Sequence, residues 1–246
     1  MNLVTIPLEQ ANFIPELTEK VIKLINLQKI VELSLSHNKI TAISDQKSLN
    51  SHSNKLHSNK PTHSKIPTSS LSSFNNLQFL YFDHNEITNI HTNAFTDLTL
   101  VIHLDLSWNK IQQLNESVLS PLANLKTLKL DHNRIYTLSA KQFKLNPSLV
   151  HLDFSSNRIR NLPTTVFHYT KNVHYLNLFD NRLSYPVVEW FNDISDTAMI
   201  MLKLNPWVCD CKIYDMKMIF PELARQVQCV APREVVGKYG RVEPTY

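Results

Sequence analysis

Residues 149–162, LVHLDFSSNRIRNL, decide how the chain folds. Leu149, Leu152 and Phe154 end in an alternation of period two, the spacing of a half-buried strand. Asn157 follows, then Ile159 and Leu162 on a looser spacing. The pattern returns 24 residues away in either direction: VIHLDLSWNKIQQL at 101–114, LKTLKLDHNRIYTL at 125–138 and VHYLNLFDNRLSYP at 173–186. A fixed period in this range is the signature of a solenoid, in which each unit buries its apolar face only against its neighbours.

Outward from this stretch, repeats start at Ile30, Ser53, Leu77, Val101, Leu125, Leu149, Val173 and Thr197, with a first step of 23 residues and 24 thereafter. Asn38, Asn85, Asn109, Asn133, Asn157, Asn181 and Asn205 stand eight residues after a start. An amide at the turn out of a strand donates to and accepts from backbone groups that would otherwise be buried unpaired. Stacked coil on coil, these residues are expected to form a ladder. Phe95, Phe143, Phe167 and Phe191, with Leu119 in the remaining place, stand eighteen residues after a start and predict an apolar spine opposite the strands.

Composition narrows the function classes. The 246 residues carry a formal charge of +4, too little to imply nucleic acid, and two glycines, which disfavours glycine-rich phosphate loops. Much of the excess charge lies in one polar stretch, where Lys47, Lys55, Lys60 and Lys65 face Asp45 alone. No apolar run is long enough to span a membrane. The opening MNLVTIPLEQ lacks the charged start and apolar core of a secretory signal.

The repeats resemble those of extracellular leucine-rich repeat proteins of the Toll-like and adhesion type, across nearly the whole chain. The resemblance implies an α/β solenoid: a right-handed, curved horseshoe with a parallel β-sheet lining its concave face. Residues 205–246 resemble the opening of that family's C-terminal cysteine cap, through Asn205-Pro206-Trp207-Val208-Cys209-Asp210-Cys211, Cys229, Pro232 and Gly237. Carried over, the cap pairs Cys209 with Cys229 and leaves Cys211 as an unpaired thiol, so the cap is incomplete. The odd count points to a truncated chain or to an intermolecular bond through Cys211. Between the cysteines, Ile213, Met216, Ile219 and Phe220 have helical spacing and are expected to lie over the last repeat. The resemblance also implies an extracellular or cell-surface location, consistent with paired cysteines.

Two regions depart from the pattern. Residues 1–29 offer Leu3, Ile6, Leu8 and Phe13 as one atypical repeat or partial cap, with Ala11 at the asparagine place. Either this repeat caps itself or the chain is a fragment. Residues 53–76 keep the length but lose the strand, with Pro61 in place of asparagine, and recover phase at Ile66, Leu71 and Phe74. They read as a decayed repeat whose polar half is a loop, or as a loop that folds over a ligand.

Alternation along each strand sends repeat positions four and six into the core and positions three, five and seven onto the concave face. In the middle of that face stand Asp83, His103, Asp105, Lys129, Asp131, His151 and Asp153. Phe79 and Tyr81 flank them on one side and Tyr175 and Phe179 on the other, with Trp108 at the rim. Large aromatics beside a polar centre have the composition of binding hot spots.

Enzymatic and metal readings fail on geometry. His103 and His151 lie two strands apart, about 9.6 Å at ~4.8 Å per strand, with Thr127 and Lys129 between them. Zinc takes its ligand atoms at about 2 Å. Ser107 and Ser155 have no nucleophile elbow or glycine oxyanion loop beside them. No metal, cofactor or catalytic residue is assigned. His37, His84 and His132 share the eighth position, with Trp108 in the same column. They read as a rim whose charge rises near pH 6.5, or as exposed positions that accept any polar residue. Asn115-Glu116-Ser117 is a glycosylation sequon at Asn115, on the outer part of its repeat. The expected function is recognition of a protein, or a glycan, on the concave face, in innate immunity or in cell adhesion. The alternative is a passive spacer or co-subunit tethered through Cys211.

Overall fold

The structure is a computed structural model that describes residues 3–5, 30–44, 64–72, 74–208 and 212–231. In chain order its elements are β1 (Leu3–Thr5), β2 (Glu32–Ser34), β3 (Ile40–Ser44), β4 (Ser64–Pro67), α1 (Thr68–Leu71), β5 (Phe79–Tyr81), β6 (Asn89–Ile90), β7 (His103–Asp105) and β8 (Thr127–Lys129). These are followed by β9 (His151–Asp153), β10 (Tyr175–Asn177), β11 (Met199–Met201), β12 (Trp207–Val208), α2 (Lys212–Ile219), α3 (Pro221–Ala224) and β13 (Cys229–Ala231). Eight strands form one parallel sheet in the order β1-β2-β5-β7-β8-β9-β10-β11.

The register follows the sequence period. His103 pairs with Thr127, Thr127 with His151, His151 with Tyr175 and Tyr175 with Met199. Each strand has three residues, too few to persist alone, so its stability comes from the coils on either side. The chain is thus the solenoid expected, with the sheet along one face. The returns that lead into β7 and β8 are turns, closed by bonds such as Leu98 N–H to Phe95 O and Leu122 N–H to Leu119 O, both 3.0 Å.

Two kinds of side chain hold the coils in phase. Leu104, Leu128, Leu152 and Leu176 at the fourth position, and Leu106, Leu130, Phe154 and Leu178 at the sixth, are fully buried. Phe95, Leu119, Phe143, Phe167 and Phe191 line the opposite wall of the core, with Phe143 and Phe167 stacked at 6.2 Å. The asparagine ladder supplies the polar half. Asn133 Nδ2 donates to Leu106 O of the preceding coil at 2.9 Å and to Leu130 O of its own at 3.1 Å, while its Oδ1 accepts the Ile111 N–H at 2.9 Å. Asn85, Asn109, Asn157, Asn181 and Asn205 repeat this arrangement.

Ahead of each ladder asparagine, the eighth residue turns left-handed. His37, His84, Trp108, His132, Ser156, Asp180 and Leu204 all have φ between 52° and 57°. None is glycine, so each bears the cost of a Cβ in that region.

The stretch that begins at Ser53 adds no rung to the concave sheet. β2 pairs directly with β5, Glu32 opposite Phe79 and Ser34 opposite Tyr81, and Asn85 bonds Leu35 O just as the other ladder residues bond the coil before them. β2 and β5 therefore stand on neighbouring coils. β4 pairs alongside β3 in a small second sheet with β6. Ile66, Leu71 and Phe74 do enter the core. The concave places counted for Lys55, His57 and Asn59 lie outside the described residues. At the N-terminal end β1 is the first rung, pairing Leu3 with Glu32. Ala11, read as the asparagine place of this repeat, lies outside the described residues.

At the C-terminal end, β12 pairs with β13, Trp207 is buried and its Nε1–H donates to Leu202 O at 3.1 Å. Met216 of α2 is fully buried, and Phe220 meets Phe191 edge-on at 5.8 Å. Ile219, expected over the last repeat, is 57% exposed. Gln226 pairs with the open edge of the sheet. Gln226 Nε2 donates to Ile200 O at 2.7 Å, and its Oε1 accepts the Leu202 N–H at 3.0 Å. Cys229 is disulfide-bonded. Cys209 and Cys211, between which its partner must be chosen, lie outside the described residues.

Candidate functional site

The sheet places Phe79 and Tyr81 on β5, His103 and Asp105 on β7, Lys129 on β8, His151 and Asp153 on β9, and Tyr175 on β10. Asp83, Asp131 and Phe179 follow two residues after their strands, on the same face. Alternation of burial confirms the geometry: the fourth and sixth positions are buried, while these side chains are half-exposed apart from Asp105, which is 6% exposed.

Local hydrogen bonds explain why aspartate recurs here. Asp105 Oδ1 accepts the Ser107 N–H at 3.0 Å and the Ser107 hydroxyl at 2.6 Å. Asp153 repeats this with Ser155 at 2.9 and 2.7 Å, and Asn177 Oδ1 takes the Phe179 N–H at 3.1 Å. One oxygen of each aspartate therefore closes the turn out of the strand. The other faces its neighbour: Asp105 Oδ2 meets Lys129 Nζ at 3.3 Å, and Asp153 Oδ2 accepts Asn177 Nδ2 at 3.1 Å. The Ser107 and Ser155 hydroxyls donate to these carboxylates, and among the described residues neither hydroxyl bonds a histidine ring, so neither is set up as a nucleophile.

Rings bracket this strip. Tyr81 lies 5.1 Å and Phe79 6.2 Å from His103, and His151 stacks on Tyr175 at 4.2 Å with 10° between the planes. Burial lowers both imidazoles below the ordinary histidine value; Asp105 opposes this at His103 and Asp153 at His151. His103 Nε2 is buried with no hydrogen-bond partner among the described residues, which suits a neutral ring. Burial raises the Asp131 carboxyl above the usual range against the hydrogen bond from His132, and raises the Tyr81 and Tyr175 hydroxyls. At neutral pH the face therefore presents carboxylates around one lysine, between neutral rings.

Trp108 stands apart from this face. It is 48% exposed on the rim, in the left-handed column. There His37, His84, Trp108 and His132 stack in sequence, with centroids 4.3, 5.3 and 3.8 Å apart. His84 Nδ1 bonds Asp83 at 3.0 Å, His132 Nδ1 bonds Asp131 at 2.9 Å, and Ser36 donates to Asp83. The column was legible, but not the stack, which follows from identical backbone angles one coil apart.

His37, Asp83 and His84 hold ligand atoms within 4.8 Å of one another, a grouping the sequence did not suggest. Its geometry is poor for a metal. The two imidazoles are stacked at 21°, so their in-plane lone pairs run alongside each other instead of converging, and Asp83 is already engaged.

The family model described as "Leucine rich repeat" matches residues 55–111, 75–135 and 123–183, together just over half of the chain. A solved structure, the crystal structure of a TLR13–ssRNA13 complex, is similar with a TM-score of 0.61 at 25% identity over 74% of this chain. The matched region is 23% of that chain, so this chain spans about a quarter of the structure it resembles. A comparison with curated proteins finds no match.

Proposed function

Because the chain belongs to the leucine-rich repeat family, we propose that it is a non-enzymatic recognition module that takes a protein partner, or a glycan, on its concave face. The observation that carries this reading is the strip Asp105–Lys129–Asp153, held by bonds within and between strands and bracketed by the Tyr81–His103 and His151–Tyr175 ring pairs. Side chains already fixed lose little freedom on binding, and rings beside charge suit a partner offering cations and hydrogen-bond donors. TLR13 is titled as a complex with RNA. The carboxylates here make the concave face a poor match for phosphates.

We place the module outside the cell or on its surface, in immune recognition or adhesion. The disulfide at Cys229 suits an oxidising compartment. Among the described residues no helix is long and apolar enough to cross a membrane. Asn115 is exposed, as a glycan acceptor must be. Pairing of Cys229, which is disulfide-bonded, with Cys209 would leave Cys211 open to a second partner.

Capture from extracellular extract, followed by non-reducing mass spectrometry, tests partner and thiol state together. Tyr81→Ala and Tyr175→Ala should each weaken capture severalfold while leaving the circular dichroism spectrum intact. Undiminished capture by the double variant would sink the concave-face reading. A disulfide joining Cys211 to a second chain would favour assembly as the main role.

A further inference from the structure

A second surface lies on the flank of the solenoid, away from the concave strip. The residue after each ladder asparagine and the residue two further on form adjacent columns, joined coil to coil through the backbone. Arg134 N–H bonds Ile111 O, Arg158 N–H bonds Ile135 O and Arg182 N–H bonds Ile159 O, at 2.8–2.9 Å. Beside them Tyr136 N–H bonds Gln112 O at 3.3 Å and Arg160 N–H bonds Tyr136 O at 3.2 Å. These six side chains line an open cleft of about 350 Å³, within the range of ligand pockets, roughly 300–1,000 Å³.

Four of the six are arginines, and none forms an ion pair with any described residue. In the same column one coil before Lys110, the carboxylate of Glu86 is engaged with Lys110 at 2.7 Å. Four guanidinium groups facing one cleft repel one another, a cost that an anion relieves. Guanidinium forks match sulfate, phosphate and carboxylate oxygens two at a time.

We infer that this cleft binds a sulfated oligosaccharide. Its unpaired charge is short: the arginine column spans three coils, two steps of ~4.8 Å, and on one side it ends at the neutralised Glu86–Lys110 pair. Binding to a phosphodiester chain draws on many phosphates along a track, and single strands also need a run of aromatic platforms, one per base. Here one ring, Tyr136, 41% exposed, faces the cleft. A sulfated sugar carries several anions on neighbouring rings, and its apolar ring face packs on a single tyrosine.

The test titrates the full chain with a heparin octasaccharide, its desulfated form and an oligothymidylate of equal charge, followed by calorimetry at several salt concentrations. The sulfated octasaccharide is expected to bind, and the desulfated form to bind at least tenfold more weakly. Replacing Arg134, Arg158 and Arg182 together by alanine should cost tenfold or more and flatten the salt dependence. Replacing the same three by lysine, which keeps the charge but loses the fork, should also weaken binding. Lys141→Ala with Lys144→Ala, exposed elsewhere, should change it little. No binding of the octasaccharide, equal binding of the oligothymidylate, or equal losses in the arginine-to-alanine and lysine-to-alanine variants would each overturn the inference. All substituted positions are exposed, and a circular dichroism melt separates lost binding from lost folding. Because the concave pair Tyr81 and Tyr175 is left intact, capture of a protein partner there succeeds or fails independently of this result.

Discussion

Asn133 shows how much one side chain can carry. Three carbonyls and one N–H, from two coils, converge on its amide. Asn133→Ala leaves these groups buried, at about 1–3 kcal/mol for each that finds no water. A loss of roughly 3 kcal/mol in urea unfolding is expected, far above an exposed substitution such as Lys141→Ala. The ladder was legible because one chemical need recurs at one spacing. The double use of Asp105 and Asp153 was not, because the letters of an aspartate do not say which oxygen closes a turn. The pH response also belongs to single residues. His103 and His151 have lowered values, so below about pH 6.5 the unfolded chain takes up protons that the folded one refuses. Their contribution is present above that pH and is lost as the pH falls toward the lowered values. Asp131, raised, works in the opposite sense: it costs stability above its folded value and is relieved as the pH drops toward about 3.9. The double variant His103→Phe/His151→Phe, which keeps the ring contacts, should therefore show a flatter stability profile between pH 7 and 5 when urea midpoints are compared.

Three-residue strands are elements only in company. The period exposed their places and their alternation, and the core followed, since the fourth and sixth positions are apolar in coil after coil. Pairing was harder to read where the chain departs from its period: that β2 lies against β5 is a tertiary fact, settled by Glu32 opposite Phe79 and by Asn85 reaching Leu35. The flank columns escaped notice because their identities drift from Lys39 and Glu86 through Lys110 to arginine, without the constancy that marks the ladder. The last strand of a sheet presents open backbone groups, and β11 has this problem. Gln226 meets it by standing in for a further strand at Ile200 O and Leu202 N. Gln226→Ala should raise amide exchange at Leu202 at least tenfold while amides of β8 and β9 stay protected, as read by hydrogen–deuterium exchange. Uniform change along the chain would mean that Gln226 matters to global stability instead.

The whole molecule is a stack in which each coil knows only its neighbours. Its shape and its two faces follow from that, and fold class was therefore the part of the reading that the period supported best. The residues of the concave face could be listed from the sequence but not ranked, because exposure, stacking and internal pairing decide which side chains are already engaged. Asp105, 6% exposed, shows the limit. The pairing of β2 with β5 has one further consequence. Glu32 sits opposite Phe79, 47 residues on, whereas His103 sits opposite Thr127, 24 residues on, so residue count is decoupled from phase between β2 and β5. Deleting one residue from the coil at 125–148, where the register is strict, should put the later rungs out of step and lower the thermal melt sharply.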